Sequence, residues 1–205
     1  MALVDVELGE VPVVLPGPVS RLVADGERRL EAFIEGRLDD PIVGFVPSDF
    51  PAVYGTLEAI ARRHLATGRL FCEWGSGFGV VAMMASSLDF DACGIEIECD
   101  LVDAAQELAD EHELPVEFVC GSFIPVGGED VADHVGDFAW LRTDAPSAYD
   151  ELGLDPQDFD VIFAYPWPGE EQAVYDLFDR YASAGALLVT FQGVEAVRVM
   201  RRVTG

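Results

Sequence analysis

From residue 69 onward, short apolar runs alternate with stretches of helical period, and few folds accommodate that alternation. "RLFCEW" (69–74) precedes Val80, Met83, Met84, Ser87 and Leu88, which share one helical face. "ACGIEI" (92–97) precedes the stripe Leu101, Ala104, Ala105, Leu108 and Ala109, with Asp100 placed to cap it. "VEFVC" (116–120), "DVIFAY" (160–165) and "ALLVTF" (186–191) continue the strand series. Val174, Leu177, Phe178 and Tyr181 mark another helix, whose first turn suits Glu170 and Glu171. Runs apolar throughout belong to strands buried on both faces, and helices between them imply parallel crossovers. The expected fold is α/β: three layers around a doubly wound, mostly parallel sheet. Ligands of such sheets bind at C-terminal strand ends, where strand order reverses.

Before residue 69 the pattern differs. "VPVVLPGPV" (11–19) reads as an extended lead-in broken by proline. Leu30, Phe33, Ile34 and Leu38 form a helical stripe, 39–51 reads as a loop, and Val53, Leu57, Ile60, Ala61 and His64 form a second stripe. A chain of 205 residues, half of them apolar, suits one domain. We divide 1–205 into an N-terminal arm and helix (1–50) and an α/β core (51–205). Residues 121–159 show no period beyond a helical piece at 146–153.

The first strand of the series ends in "FCEWGSGFG" (71–79), with glycine at 75, 77 and 79. Such a loop turns tightly and lets a ligand touch bare backbone. Dinucleotide sites use GxGxxG, with the pyrophosphate on the helix N-terminus. Here position 80 is valine, and the third glycine comes one residue early. Glu73 beside the loop would oppose a pyrophosphate at a cost of about 1–4 kcal/mol. S-adenosylmethionine carries a sulfonium and an ammonium and no phosphate, so a carboxylate there favours it. The loop as a simple tight turn stays open as an alternative. Glu96 ends the second strand, about 20 residues after the loop, where an acid accepts adenosine ribose hydroxyls. Glu98 is its rival, and dinucleotide enzymes share the feature. After the third strand, Gly121, Ser122 and Phe123 could meet an adenine edge and face.

Charge narrows the partners. Twelve basic residues, all arginine, stand against 38 acidic ones, a net charge of −26. So acidic a surface repels phosphate backbones and anionic membranes, which disfavours nucleic acid and membrane partners. It suits neutral or cationic ones, although an acidic shell can also be solvation alone. Arg198, Arg201 and Arg202 form the one candidate basic patch. Cys72, Cys93 and Cys120 fall in strand-like runs and read as core fillers; with Cys99 they make no CxxC, and no metal site is expected. His64, His112 and His134 read as structural. "MALVDVELGE" lacks a basic segment ahead of an apolar one, and no run approaches a membrane span, so a cytoplasmic location is expected.

Together these motifs resemble the class I (seven-strand, Rossmann-like) S-adenosylmethionine-dependent methyltransferase family, over most of the chain from "FVPSDF" (45–50) through "ALLVTF". "EWGSGFG" matches the family's acidic-x-Gly-x-Gly-x-Gly motif, and "GIEI" its second-strand acid. The resemblance implies methyl transfer to a small molecule or protein side chain. It implies S-adenosyl-L-methionine contacts at Glu73, Gly75, Ser76, Gly77, Gly79, Glu96, Ile97, Gly121, Ser122, Phe123 and Tyr165. Ser122 stands where the family often has an acid. "DVIFAYPWP" would face the transferable methyl, with Tyr165 and Trp167 bordering the acceptor; both could instead pack as structural aromatics. "YPWP" is a distant echo of the Asn/Asp-Pro-Pro-aromatic motif of some amine methyltransferases, and "FVPS" resembles the lysine methyltransferases of this class. The family's terminal strand hairpin looks shortened, with only "VEAVRVMRRV" (194–203) left for it. A non-catalytic S-adenosylmethionine-binding module and an NAD-linked oxidoreductase remain as alternatives.

Overall fold

The computed structural model describes residues 2–11, 14–36, 48–132, 141, 145–192 and 197–204. Seven strands form one sheet: β1 (Ala2–Asp5), β2 (Leu70–Trp74), β3 (Asp91–Glu96), β4 (Glu117–Cys120), β5 (Val161–Ala164), β6 (Leu187–Phe191) and β7 (Val197–Val203). The helices are α1 (Gly17–Gly36), α2 (Phe50–Arg62), α3 (Val80–Ser86), α4 (Cys99–Glu111), the single-turn α5 (Glu129–Ala132) and α6 (Tyr149–Leu152), and α7 (Glu171–Tyr181). The strand order is β1-β7-β6-β5-β2-β3-β4. From β6 to β4 every pairing is parallel, and β7 runs antiparallel to both neighbours.

The uniform apolarity of the strands follows from burial on both faces. In β2, Phe71 enters one core while Cys72 and Trp74 enter the other. In β5, Val161 and Phe163 face the first core, Ile162 and Ala164 the second. Helices α1 to α4 cover the first face; α6 and α7 contribute to the second. Arg198 holds the β1–β7 edge, donating to both carboxylate oxygens of Asp5 at 2.6 and 3.1 Å.

Several sequence expectations need correction. The C-terminal segment supplies one strand, β7, and the place beyond it is filled by β1 from the N-terminal arm, pairing Ala2 with Val203 through Asp5 with Met200. "ALVD" is too short and too exposed to read as a strand. Helix α1 begins at Gly17, inside the stretch expected to be extended. Glu98, not Asp100, occupies the N-cap position of α4, and Asp100 lies in its first turn. His64 lies beyond α2, exposed, with φ of 52°. Cys120 is not a core filler: it forms a disulfide with Cys99, whereas Cys72 and Cys93 are buried free thiols. The register places Cys120 opposite Glu96, and Cys99 opens the helix that follows, so pairing of β3 with β4 brings the two together.

Candidate functional site

The strand order reverses between β2 and β5: the chain steps from β2 through β3 to β4, then returns to β5 and moves outward to β6. The loops leaving these strands meet in a cleft of about 430 Å³, a size suited to a small-molecule ligand. β2 and its loop contribute Glu73, Trp74, Gly75 and Ser76; β3 leads into Glu96, Ile97 and Glu98. Gly121, Ser122 and Phe123 follow β4, and Tyr165 and Trp167 follow β5. Residues of α1, including Glu27, and Phe50 of α2 close one side.

Each glycine of the loop has positive φ: 70° at Gly75, 53° at Gly77 and 69° at Gly79. Their roles differ. Gly75 lines the cleft, and a Cβ there would meet only open space. Gly77 and Gly79 do not line it; a Cβ on Gly79 would stand 2.2 Å from Phe118. Of the three, Gly75 presents open backbone to the cleft, and Gly79 makes room for packing behind the loop.

Glu73 is buried, and its Oε2 accepts the Ala82 N–H in the first turn of α3 at 2.8 Å. Burial pushes its carboxyl well above the usual range, the Ala82 bond opposes this, and the charge of Glu96 adds to it. Expected beside the ligand loop, Glu73 both lines the cleft and bonds α3. An amide that a pyrophosphate would approach in a dinucleotide site therefore already has a carboxylate on it.

Glu96 Oε2 accepts from Gly77 N–H at 2.8 Å, and Oε1 accepts from Ile97 and Glu98 N–H at 2.8 and 3.0 Å. Burial raises this carboxyl too, against the pull of the three N–H bonds. Glu96 thereby ties the glycine loop to the end of β3. Ser76 Oγ is buried with no hydrogen-bond partner among the described residues. Such a hydroxyl costs about 1–3 kcal/mol, and a polar ligand group in the cleft would satisfy it.

Phe123 stacks on Trp74, with ring centroids 5.1 Å apart and planes 8° from parallel. Ser122 Oγ accepts from Ile124 N–H at 3.1 Å, so a local turn engages the oxygen expected at an adenine edge. Tyr165 packs edge-on against Phe191 at 4.9 Å, which anchors one side of its ring while it lines the cleft. Trp167 is half-buried, and its carbonyl accepts from Glu170 N–H at 2.9 Å, closing the turn into α7.

The candidate basic patch is absorbed by the fold. Arg198 pairs with Asp5; Arg201 donates to the Gly185 and Leu65 carbonyls; Arg202 is buried and donates to the Asp179 carbonyl. His112 Nε2 lies 3.0 Å from Asp25 Oδ2, joining α4 to α1. His134, and Phe45–Pro47 of the "FVPSDF" loop, lie outside the described residues.

No protein-family model and no curated protein matches the sequence. Solved structures do match. A methyltransferase from Geobacter sulfurreducens aligns at TM-score 0.58 and 15% identity, over 93% of this chain and 93% of its own. An RNA methyltransferase from Salinibacter ruber in complex with S-adenosyl-L-homocysteine aligns at 0.51 and 19%, over 77% and 92%. The O-methyltransferase TomG from Streptomyces achromogenes, in complex with SAM, aligns at 0.51 and 18%, over 86% and 66%. The fold is that of the class I methyltransferases. Within this methyltransferase fold, Trp74 and Glu170 are among the cleft residues that had escaped the sequence reading. Trp74 looked like the end of an apolar run, and only its stack with Phe123 makes it a wall. Glu170 looked like a helix first-turn acid, yet it is 5% exposed and lines the cleft. Its place after "YPWP" was the available signal.

Proposed function

We propose that this protein is an S-adenosylmethionine-dependent methyltransferase acting on a neutral or cationic acceptor, a small molecule or a protein side chain. The observation that carries this reading is the pair of buried carboxylates, Glu73 and Glu96, flanking a left-handed glycine loop at the reversal of strand order. The lining fits the cofactor. Glu73 opposes positive charge on the donor, Glu96 offers acceptor oxygen to ribose hydroxyls, and Ser76 Oγ needs a polar partner. Gly75 admits close contact, and the Trp74–Phe123 stack offers a flat apolar wall.

When bound, S-adenosylmethionine supplies a methyl group already activated on a sulfonium. The protein's part is to hold the acceptor in line and exclude water, an effect worth roughly 7–11 kcal/mol. Tyr165 and Trp167 would wall the acceptor side. An acceptor of nucleic acid is disfavoured, since Arg198, Arg201 and Arg202 are engaged within the fold. No helix among the described residues is long and apolar enough to cross a membrane. A cytoplasmic location remains part of the proposal; there a disulfide such as Cys99–Cys120 would form only transiently or as a redox sensor.

Thermal shift and calorimetry with S-adenosylmethionine, S-adenosylhomocysteine and NAD in parallel test the reading. A bound ligand at 100-fold over its dissociation constant adds about 2.7 kcal/mol of stability. Stabilisation by both adenosyl ligands and not by NAD is expected; stabilisation by NAD alone would replace the reading with the oxidoreductase one. Transfer of labelled methyl to an acceptor then separates an enzyme from a binding module. Tyr165→Phe together with Trp167→Ala should lower that transfer.

A smaller effect is expected at the ribose contact. Glu96→Gln would turn an amide group toward backbone N–H donors and remove charge from the acceptor. The loss should be about tenfold in S-adenosylmethionine affinity, close to 1.4 kcal/mol. Unchanged affinity by calorimetry would remove Glu96 from the cofactor site.

A further inference from the structure

We propose that Tyr149 is a positioning residue for the cofactor's nucleobase: from behind the cleft it fixes the aromatic wall that Phe123 forms on Trp74. This rests on the methyl-transfer reading and deepens it.

The segment 145–149 lies along the loop that leaves β4, although the two are distant in sequence. Ser122 N–H donates to the Pro146 carbonyl at 2.9 Å, and Ala148 N–H to the Ser122 carbonyl at 3.0 Å. Ser122 and Ser147 pair as a parallel bridge. A Cβ on Gly121 would stand 2.9 Å from the Pro146 carbonyl oxygen and 3.1 Å from Ala148 Cβ, so bare backbone there permits the contact. Tyr149 completes it, its hydroxyl donating to the Phe123 carbonyl at 2.8 Å. The residue held in this way lines the cleft, and its ring lies 5.1 Å from that of Trp74, 8° from parallel.

Tyr149 itself does not line the cleft. It is 4% exposed and belongs to the core that contains Trp74, against which Phe123 packs. Phenylalanine fills places in the same core at Phe159 and Phe178, so packing alone does not call for a hydroxyl. A buried hydroxyl is costly unless it finds a partner, and the partner here is the backbone of Phe123. Burial pushes the phenol well above its ordinary range, so it stays protonated and keeps donating. With its carbonyl pinned, Phe123 has fewer places to put its ring before a ligand arrives. A wall ordered in advance spares the binding step the cost of ordering it.

The test is calorimetry of S-adenosylhomocysteine binding to the full chain. Tyr149→Phe should weaken binding about fivefold, the size of one hydrogen bond lost behind a preorganised wall. Replacing Tyr149 by p-aminophenylalanine, which keeps a donor at the same ring position, should restore affinity to within twofold of the parent. Tyr181→Phe, which removes a hydroxyl outside the cleft lining, should leave affinity within twofold. A Phe123→Leu background separates positioning from general loosening. There Tyr149→Phe should cost less than twofold, because the ring it positions is gone. If Tyr149→Phe melts abnormally, p-fluorophenylalanine at 149, which fills the hydroxyl's space without donating, takes its place with the same expectation. Affinity unchanged by loss of the hydroxyl, no rescue by the amino ring, or an equal loss in both backgrounds would overturn the proposal. Failure of S-adenosylhomocysteine to bind the parent protein would be a different result, removing the methyl-transfer reading and this proposal with it.

Discussion

Glu73→Gln is expected to melt higher than the parent protein at pH 8 and to bind S-adenosylmethionine on the order of 100-fold more weakly. Both effects have one cause. Burial pushes the Glu73 carboxyl well above its ordinary value of 4.5. The unfolded chain ionises freely, so the folded state binds the extra proton. The stability linked to Glu73 is therefore fully present below the unfolded value and is lost as pH rises through the raised folded value. Glutamine keeps an oxygen for the Ala82 N–H and carries no such titration. Its advantage should be near zero at pH 4.5 and grow with pH until the raised value is passed. Ligand affinity moves the other way. A sulfonium and ammonium near the carboxylate favour its charged form, so binding expels a proton and tightens as pH rises. An ion pair at about 4 Å and an effective dielectric constant of about 20 is worth about 4 kcal/mol before desolvation. A net loss of about 2–3 kcal/mol on substitution corresponds to the 100-fold figure. Melting curves and calorimetry between pH 4.5 and 9 measure both slopes. A variant no more stable than the parent, or one that binds equally well, contradicts this electrostatic account.

Reduction of the Cys99–Cys120 disulfide is expected to cost about 3 kcal/mol, the chain-entropy value for a loop of this length. The bridge spans a separation of 21 residues. For a chain of this size the loss should appear as a fall of roughly 6–12 °C in melting temperature. A second consequence follows from position. Cys99 comes directly after Glu96-Ile97-Glu98, and Cys120 directly before Gly121-Ser122-Phe123, all of which line the cleft. Releasing the bridge should weaken S-adenosylmethionine several-fold. Melts with and without a phosphine reductant measure the first effect, and calorimetry the second. The Cys99→Ser, Cys120→Ser double variant should behave as the reduced protein and ignore reductant. An oxidised parent that melts with its reduced form would show that the bridge adds nothing.

Much of the fold was legible because its information is local. Each buried strand from β2 to β6 is an apolar run, and each major helix between them is a stripe. Glycine spacing and one acid marked the loop from Glu73 to Gly79 in the sequence, and Glu96 was marked by its place at the end of β3; Glu73, Gly75, Ser76 and Glu96 all line the cleft. The less legible parts depend on partners distant in sequence. β1 is a strand because β7 leaves an edge and Asp5 meets Arg198 across it. Nothing in "ALVD" says so alone. The three C-terminal arginines looked like a patch until Asp5, two carbonyls around Arg201 and the Asp179 carbonyl claimed them.

The order of hydrophobic and polar residues along the chain was enough to specify layers, the strand series and the crevice at the reversal of strand order, since those follow from periodicity and from twist-favoured crossovers. It also placed the two acids at strand ends. Only packing decided how those two acids are held: Glu73 shares its carboxylate with α3, and Glu96 gathers three backbone donors. Cys99 and Cys120 became a pair for the same reason. Direction, burial and partnership are properties of side chains brought together from separate strands, and no spacing along one strand encodes them.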